Sequence, residues 1–265
     1  MAPSRRLISP LAVLAAVVAL AAACGSNRPA TAPPGTTAPP GAGGGIMSPS
    51  TTTTEPSQTS GAAPSAAADR ALASAVNLTT ADLPGWTAKP NATTASDRDM
   101  QARLAECAGA PDQSAVEVVD VGSPTFHSGS GNVTSEVTSD VTTVRSQADG
   151  QNDLRAMQSD KLPACIQQVA LPYLRSQLPA GATISDVTVR RLGAPAGVPD
   201  SFSYRLIVPV SDAGGGTVTI TSDSTGFLVG RAEVELNDTE TGSVPDPTLE
   251  HKLVALLYQR ARAAA

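Results

Sequence analysis

Aromatic side chains are scarce: three Phe, three Tyr and one Trp make up 3% of the 265 residues. That shortage argues against a stacking platform for sugars or nucleobases. It leaves open an aliphatic cavity between sheet and helices. Lysine is also rare, found only at Lys89, Lys161 and Lys252. With 24 acidic against 18 basic residues the chain carries a formal charge of −6. No nucleic acid partner is expected, because phosphate binding rests on Lys/Arg clusters, and there is no polybasic patch for anionic lipid. Histidine occurs twice, at His127 and His251. These lie far apart in the chain and read as solvated or capping imidazoles rather than as a metal site. The sequence has no G-x-S-x-G, S-x-x-K, P-loop or H-E-x-x-H stretch, so no catalytic residue, metal or cofactor is assigned and the chain reads as non-enzymatic. Glu233 and Glu235 share one face of a strand, but the row ends at Asn237, and such a pair reads as a solvated strand face.

No apolar run reaches the roughly 20 residues of a stable membrane span. The longest runs from Leu11 to Ala23, behind the basic pair Arg5-Arg6, and ends in small residues. That is the pattern of a secretory signal peptide covering residues 1–23. Its end, Leu20-Ala21-Ala22-Ala23-Cys24-Gly25-Ser26, resembles the lipobox of bacterial lipoproteins, with Ala21 where such signals usually carry Leu. The resemblance implies that Cys24 becomes the acylated first residue of the mature chain. Two or three acyl chains (palmitoyl among them) would anchor it, since each buried CH₂ contributes about 0.8 kcal/mol. Ala21-Ala22-Ala23 also satisfies the A-x-A rule of ordinary signal peptidase, which would leave Cys24 an exposed thiol. Loss of residues 1–23 removes two Arg and no acid, taking the charge from −6 to −8. The expected location is the cell membrane, lipid-anchored, facing the extracytoplasmic side.

Residues 25–65 are almost entirely Pro, Gly, Ser, Thr and Ala, with eight Pro. Such a segment cannot bury enough surface to offset chain entropy and is expected to be a disordered linker. As a flexible coil it would hold its ends roughly 35 Å apart, and as extended polyproline about 120 Å. The Thr51–Thr54 run suits an O-glycosylated stalk as well as it suits a bare linker.

The remaining residues, 66–265, are enough for one domain. Apolar periodicity predicts helices over 66–76, 96–108, 149–162 and from Pro163 to about Leu178, the last kinked at Pro172. Strands are expected over 115–121, bending around Pro124, and over 133–145 as a hairpin. Further strands follow over 183–192 and 201–210 and from Val218, with turns at 211–216 and at Thr225-Gly226. Asp246-Pro247 opens a final helix whose stripe is Leu249, Leu253, Leu256 and Leu257. Successive hairpins make the sheet antiparallel. The fold class is therefore α+β, a meandering sheet covered by helices with a long C-terminal helix.

This order, together with Leu78…Asp82-Leu83-Pro84-Gly85-Trp86 and one Cys in each of two helices, resembles the PsbP-like fold of actinobacterial cell-envelope lipoproteins of unknown function. The Arg-over-Lys bias and the heavy use of Ala, Val and Thr agree with a high-GC genome. The resemblance implies no catalytic residue. If Cys24 is acylated, Cys107 and Cys165 remain as a pair, and in an exported chain a pair favours a disulfide. The function expected is a binding module for an envelope protein or small ligand. The alternative is a lipid or glycolipid carrier with an apolar cleft between sheet and helices, and the least favoured reading is an unfamiliar hydrolase.

Limited proteolysis tests the boundary. The first cuts are expected within 25–65, leaving an intact fragment that begins close to Ala66. A first cut inside 66–265 contradicts the assignment.

Overall fold

The computed structural model describes residues 65–91, 94–110, 113–130 and 133–265. The predicted signal peptide, Cys24 and the linker up to residue 64 lie outside the described residues. The helices are α1 (Ala66–Val76), α2 (Ala95–Ala108), α3 (Gln113–Val116), α4 (Gln147–Met157), α5 (Leu162–Cys165), α6 (Leu171–Gln177) and α7 (Pro247–Ala264). A π-helical turn, Ile166–Ala170, joins α5 to α6. The strands are β1 (Thr87–Lys89), β2 (Glu117–Gly122), β3 (Thr125–Ser130), β4 (Val133–Val144), β5 (Thr183–Ile184), β6 (Thr188–Arg191), β7 (Ser201–Ser211), β8 (Thr217–Val229) and β9 (Ala232–Thr241).

All described strands belong to one antiparallel sheet in the order β1-β3-β4-β9-β8-β7-β5, with β2 also on β4 and β6 also on β7. β2 and β3 lie in succession along the same side of β4, separated at Ser123-Pro124. There the chain is tied across the break: Ser123 N–H donates to the Ser139 carbonyl at 2.7 Å, and Ser139 N–H donates to Ser123 Oγ at 2.9 Å. The α+β class and the long C-terminal helix expected from the sequence are present.

Apolar residues occupy opposite faces at opposite ends of the sheet. On one face α1 and α7 pack on Phe126, Val137, Val141, Val234 and Leu236 through Ala73, Val76, Leu253 and Leu257. On the other face α2, α5, the π turn and α6 pack on Tyr204, Leu206, Val208 and Ile220 through Leu104, Leu162, Val169 and Leu174. Alternation along the strands makes this possible: Val234 pairs with Phe227 on the first face, while Tyr204, Leu206 and Val208 point to the second. The Leu78–Trp86 stretch serves the first core. Leu83 is buried and Trp86 packs against the cluster, and Arg260 of α7 clamps Asp82 through bonds of 2.9 and 2.7 Å.

Local chemistry explains the element ends and several departures from expectation. The helix expected from Ser96 starts at Ala95, because Thr94 and Asp97 form a reciprocal capping box. The helix expected to reach Leu162 stops at Met157. Pro172 produces the π turn directly ahead of it rather than a simple kink. A proline lacks the N–H and crowds the carbonyl four residues back, and a widened turn relieves both. The turn expected at Thr225-Gly226 is absent, for β8 runs straight through it. The reversal comes at Gly230-Arg231, between the paired Val229 and Ala232, where Gly230 takes φ 60°. Gly226 is instead an in-strand glycine over which the Phe202 ring lies, with ring atoms 2.4 Å from where a Cβ would stand.

Cys107 of α2 and Cys165 of α5 are joined by a disulfide that closes a 58-residue separation. Chain entropy assigns such a loop roughly 4 kcal/mol as an upper figure. Replacing both cysteines with Ser is expected to lower unfolding stability by about 2–4 kcal/mol in urea titrations. A change below measurement error would show that the two helices are held by packing alone.

Candidate functional site

The second sheet face has its apolar half under α2, α5 and α6. Its other half, on β2, β4 and β9, is polar and lies under α4. Register brings the polar residues together: Asp140 stands directly opposite Glu235, and Thr142 opposite Glu233, while Asp120 of β2 pairs with Thr142. α4 adds Asp153, Leu154 and Met157, and β7 and β8 add Phe202 and Leu228. Between them is a half-open cleft enclosing about 500 Å³, its mouth included. A second hollow shares Met157, Phe202 and Glu235 with it and extends beneath Leu104, Leu162 and Ile166.

The helix that roofs the cleft is capped at its start and tied down at its end. Ser146 caps α4 by accepting from Asp149 N–H at 3.1 Å. At the other end Tyr204 Oη donates to the Met157 carbonyl at 2.7 Å, and Gln158 Nε2 donates to the Ser201 carbonyl at 3.0 Å. Gly150 lets the helix sit close to the sheet: a Cβ there would lie 2.6 Å from Leu228 Cδ1 and 3.2 Å from Glu233 Oε1. Gly122 does the same for Asp140, whose Oδ1 lies 2.7 Å from the corresponding point. The disulfide secures the inner wall, since α2 carries Leu104 and α5 carries Leu162.

Burial dominates the electrostatics. It pushes the Glu235 carboxyl up to about 8, with Asp140 and Asp120 adding repulsion and a Ser224 hydroxyl hydrogen bond of 2.6 Å working the other way. Asp140 is pushed up to about 7 by burial and by Asp120, and Asp120 to about 6 by burial against its bond from Thr142. Burial raises Glu233 as well, reinforced by Asp153 and Glu235. These carboxyls therefore hold protons close to neutrality, and the cleft suits hydrogen-bond donors and cations.

Glu233 and Glu235 are not the solvated face expected from the sequence: Glu235 is only 9% exposed, because α4 lies across it. The acidic row ends along β9 but continues sideways onto β4 and β2. Their V-D-V and S-D-V contexts in Val119–Val121 and Ser139–Val141 were the only sequence trace of that continuation. His127 lies on β3, where its Nδ1 meets Glu136 Oε1 at 2.7 Å, and burial lowers its pKa. His251 is exposed on α7. Among the described residues no group of three His, Cys, Asp or Glu is placed to hold a metal ion, and no helix is long and apolar enough to cross a membrane.

No family model and no curated protein matches the chain. Among solved structures it is similar to the crystal structure of LpqN, involved in cell envelope biogenesis of Mycobacterium tuberculosis. The identity is 13% over 53% of this chain and 69% of that chain, with a TM-score of 0.26. A superposition of that quality assigns no function.

A carboxyl whose pKa is raised by folding binds its proton more tightly in the folded than in the unfolded chain. For Glu235 the window runs from about 4.5 to about 8, so its contribution to stability falls as pH rises through that window. Melting temperature is expected to fall by at least about 5 °C between pH 5 and 8.5, at about 2–4 °C per kcal/mol for a domain of this size. Glu235→Gln should flatten the slope and raise the melting point at pH 8.5. An identical slope in the variant would remove Glu235 from the account.

Proposed function

We propose that the protein is a lipid-anchored, extracytoplasmic protein of the cell envelope, with a non-enzymatic domain that binds a small ligand in the cleft under α4. The observation that carries the reading is the cleft itself. Gly150 lets its roof lie close over the floor, Tyr204 and Gln158 tie that roof down at its C-terminal end, and the cleft is lined partly by hydrocarbon and partly by carboxyls. The lipid or glycolipid carrier is the second reading. It draws on the continuity of the two hollows through Phe202 and Glu235, but a two-chain lipid would require α4 and α5 to move apart. In this reading Cys24 fixes the chain to the membrane, and residues 25–65 set the reach of the domain.

Two measurements on protein from the native host test this. Mass spectrometry of the mature N-terminus is expected to show Cys24 bearing acyl chains; an unmodified Cys24 refutes the anchor. Native mass spectrometry of the released protein is expected to show one small non-covalent adduct. Recovery of a phospholipid or glycolipid instead would transfer the assignment to the carrier, and consistently empty protein would count against a ligand site.

A further inference from the structure

The two sides of the cleft differ in chemistry, and few ligands match both. Leu154, Met157 and Phe202 offer hydrocarbon, while Asp140 and Glu235 face one another on the sheet floor. Among the described residues no Lys, Arg or His lines either hollow. The Glu235 carboxyl is held by the Ser224 hydroxyl at 2.6 Å and by the Asn237 amide, both of which favour its charged form.

Resting on the reading that the cleft is a ligand site, we propose that it takes a small cationic amphiphile. A primary ammonium or guanidinium head would sit against Glu235 and Asp140, and an apolar body would lie along Phe202, Met157 and Leu154. A fatty carboxylate would set its charge against carboxylates. A neutral alcohol would leave uncompensated the charge that Asp120 and Asp140 carry above neutrality. A metal ion would find no three ligands close enough among the described residues and would gain nothing from the hydrocarbon wall. The groups that face the head are Asp120 from β2, Asp140 from β4, Glu233 and Glu235 from β9 and Asp153 from α4, with the charge of Glu117 also acting on Glu233. Because burial holds protons on several of them near neutrality, a cationic head displaces protons on entry, and its affinity rises from pH 6 to pH 8.

Isothermal titration of the mature chain from residue 24, carrying Cys24→Ser so that no acyl chain or detergent competes, tests this with n-octylammonium, n-octanoate, 1-octanol and calcium chloride. In phosphate and in Tris at pH 7.5, octylammonium is expected to bind at least tenfold more tightly than octanol and to release protons. Octanoate and calcium are expected not to bind. The double variant Asp140→Asn, Glu235→Gln should weaken octylammonium at least tenfold and leave octanol unchanged, which also shows that the variant is folded. Equal binding of octanol and octylammonium, or a preference for octanoate, overturns the cationic ligand while leaving the small-ligand site in place. Calcium binding that excludes octylammonium overturns it in favour of a metal. Failure of all four probes overturns both the ligand class and the site.

Discussion

Two helical layers lie on opposite faces of one sheet and at opposite ends of it, and this offset constrains the rest of the molecule. A helix buries an apolar stripe and must find an apolar surface for it. Because α1 and α7 take the β3-β4-β9 end of one face while α2, α5 and α6 take the β7-β8 end of the other, each face has one apolar and one polar half. β8 crosses both cores and so changes character along its length. Phe227 and Val234 belong to the first core and Ile220 to the second.

The polar halves are not simply surface. On the α1/α7 face Arg205 holds the buried Asp223 through Nε at 2.6 Å, while burial and neighbouring carboxyls push Asp238 up to about 8. On the other face α4 is drawn across the polar half with its basic residue, Arg155, exposed and outside the cleft lining. Its anchors, Tyr204 and Gln158, are at its far end, so the middle of the helix bridges a gap. The cleft is therefore a consequence of how a short helix spans between the second core and the polar floor. The Cys107–Cys165 bridge keeps its inner wall from drifting.

Much of the fold was legible in the sequence because periodicity survives burial. The strict alternation of Phe202, Tyr204, Leu206, Val208 and Val210 gave β7, and Asp246-Pro247 with its leucine stripe gave α7. Misreadings occurred where one residue type serves two purposes. Thr225-Gly226 looks like a turn, but Gly226 is there to clear space for a ring from the neighbouring strand. Glu233 and Glu235 look solvated because a strand on its own has no roof. The pairing of Asp140 with Glu235 is set by register across strands roughly a hundred residues apart in sequence, and nothing local encodes it. Cys107 and Cys165 are the counterexample: a long-range contact that cysteine arithmetic alone could suggest.

The central claim is that the floor of the cleft is forced out of water by its roof and keeps its protons near neutrality when empty. Carboxyl-¹³C NMR titration of the unliganded protein, with the Asp and Glu side chains assigned, measures this residue by residue. The account predicts a midpoint near 8 for Glu235 and near 7 for Asp140, well above the ordinary range of about 4 for exposed carboxylates. If Glu235 and Asp140 titrated with the exposed acids, the roof would not desolvate the floor and the account would fail.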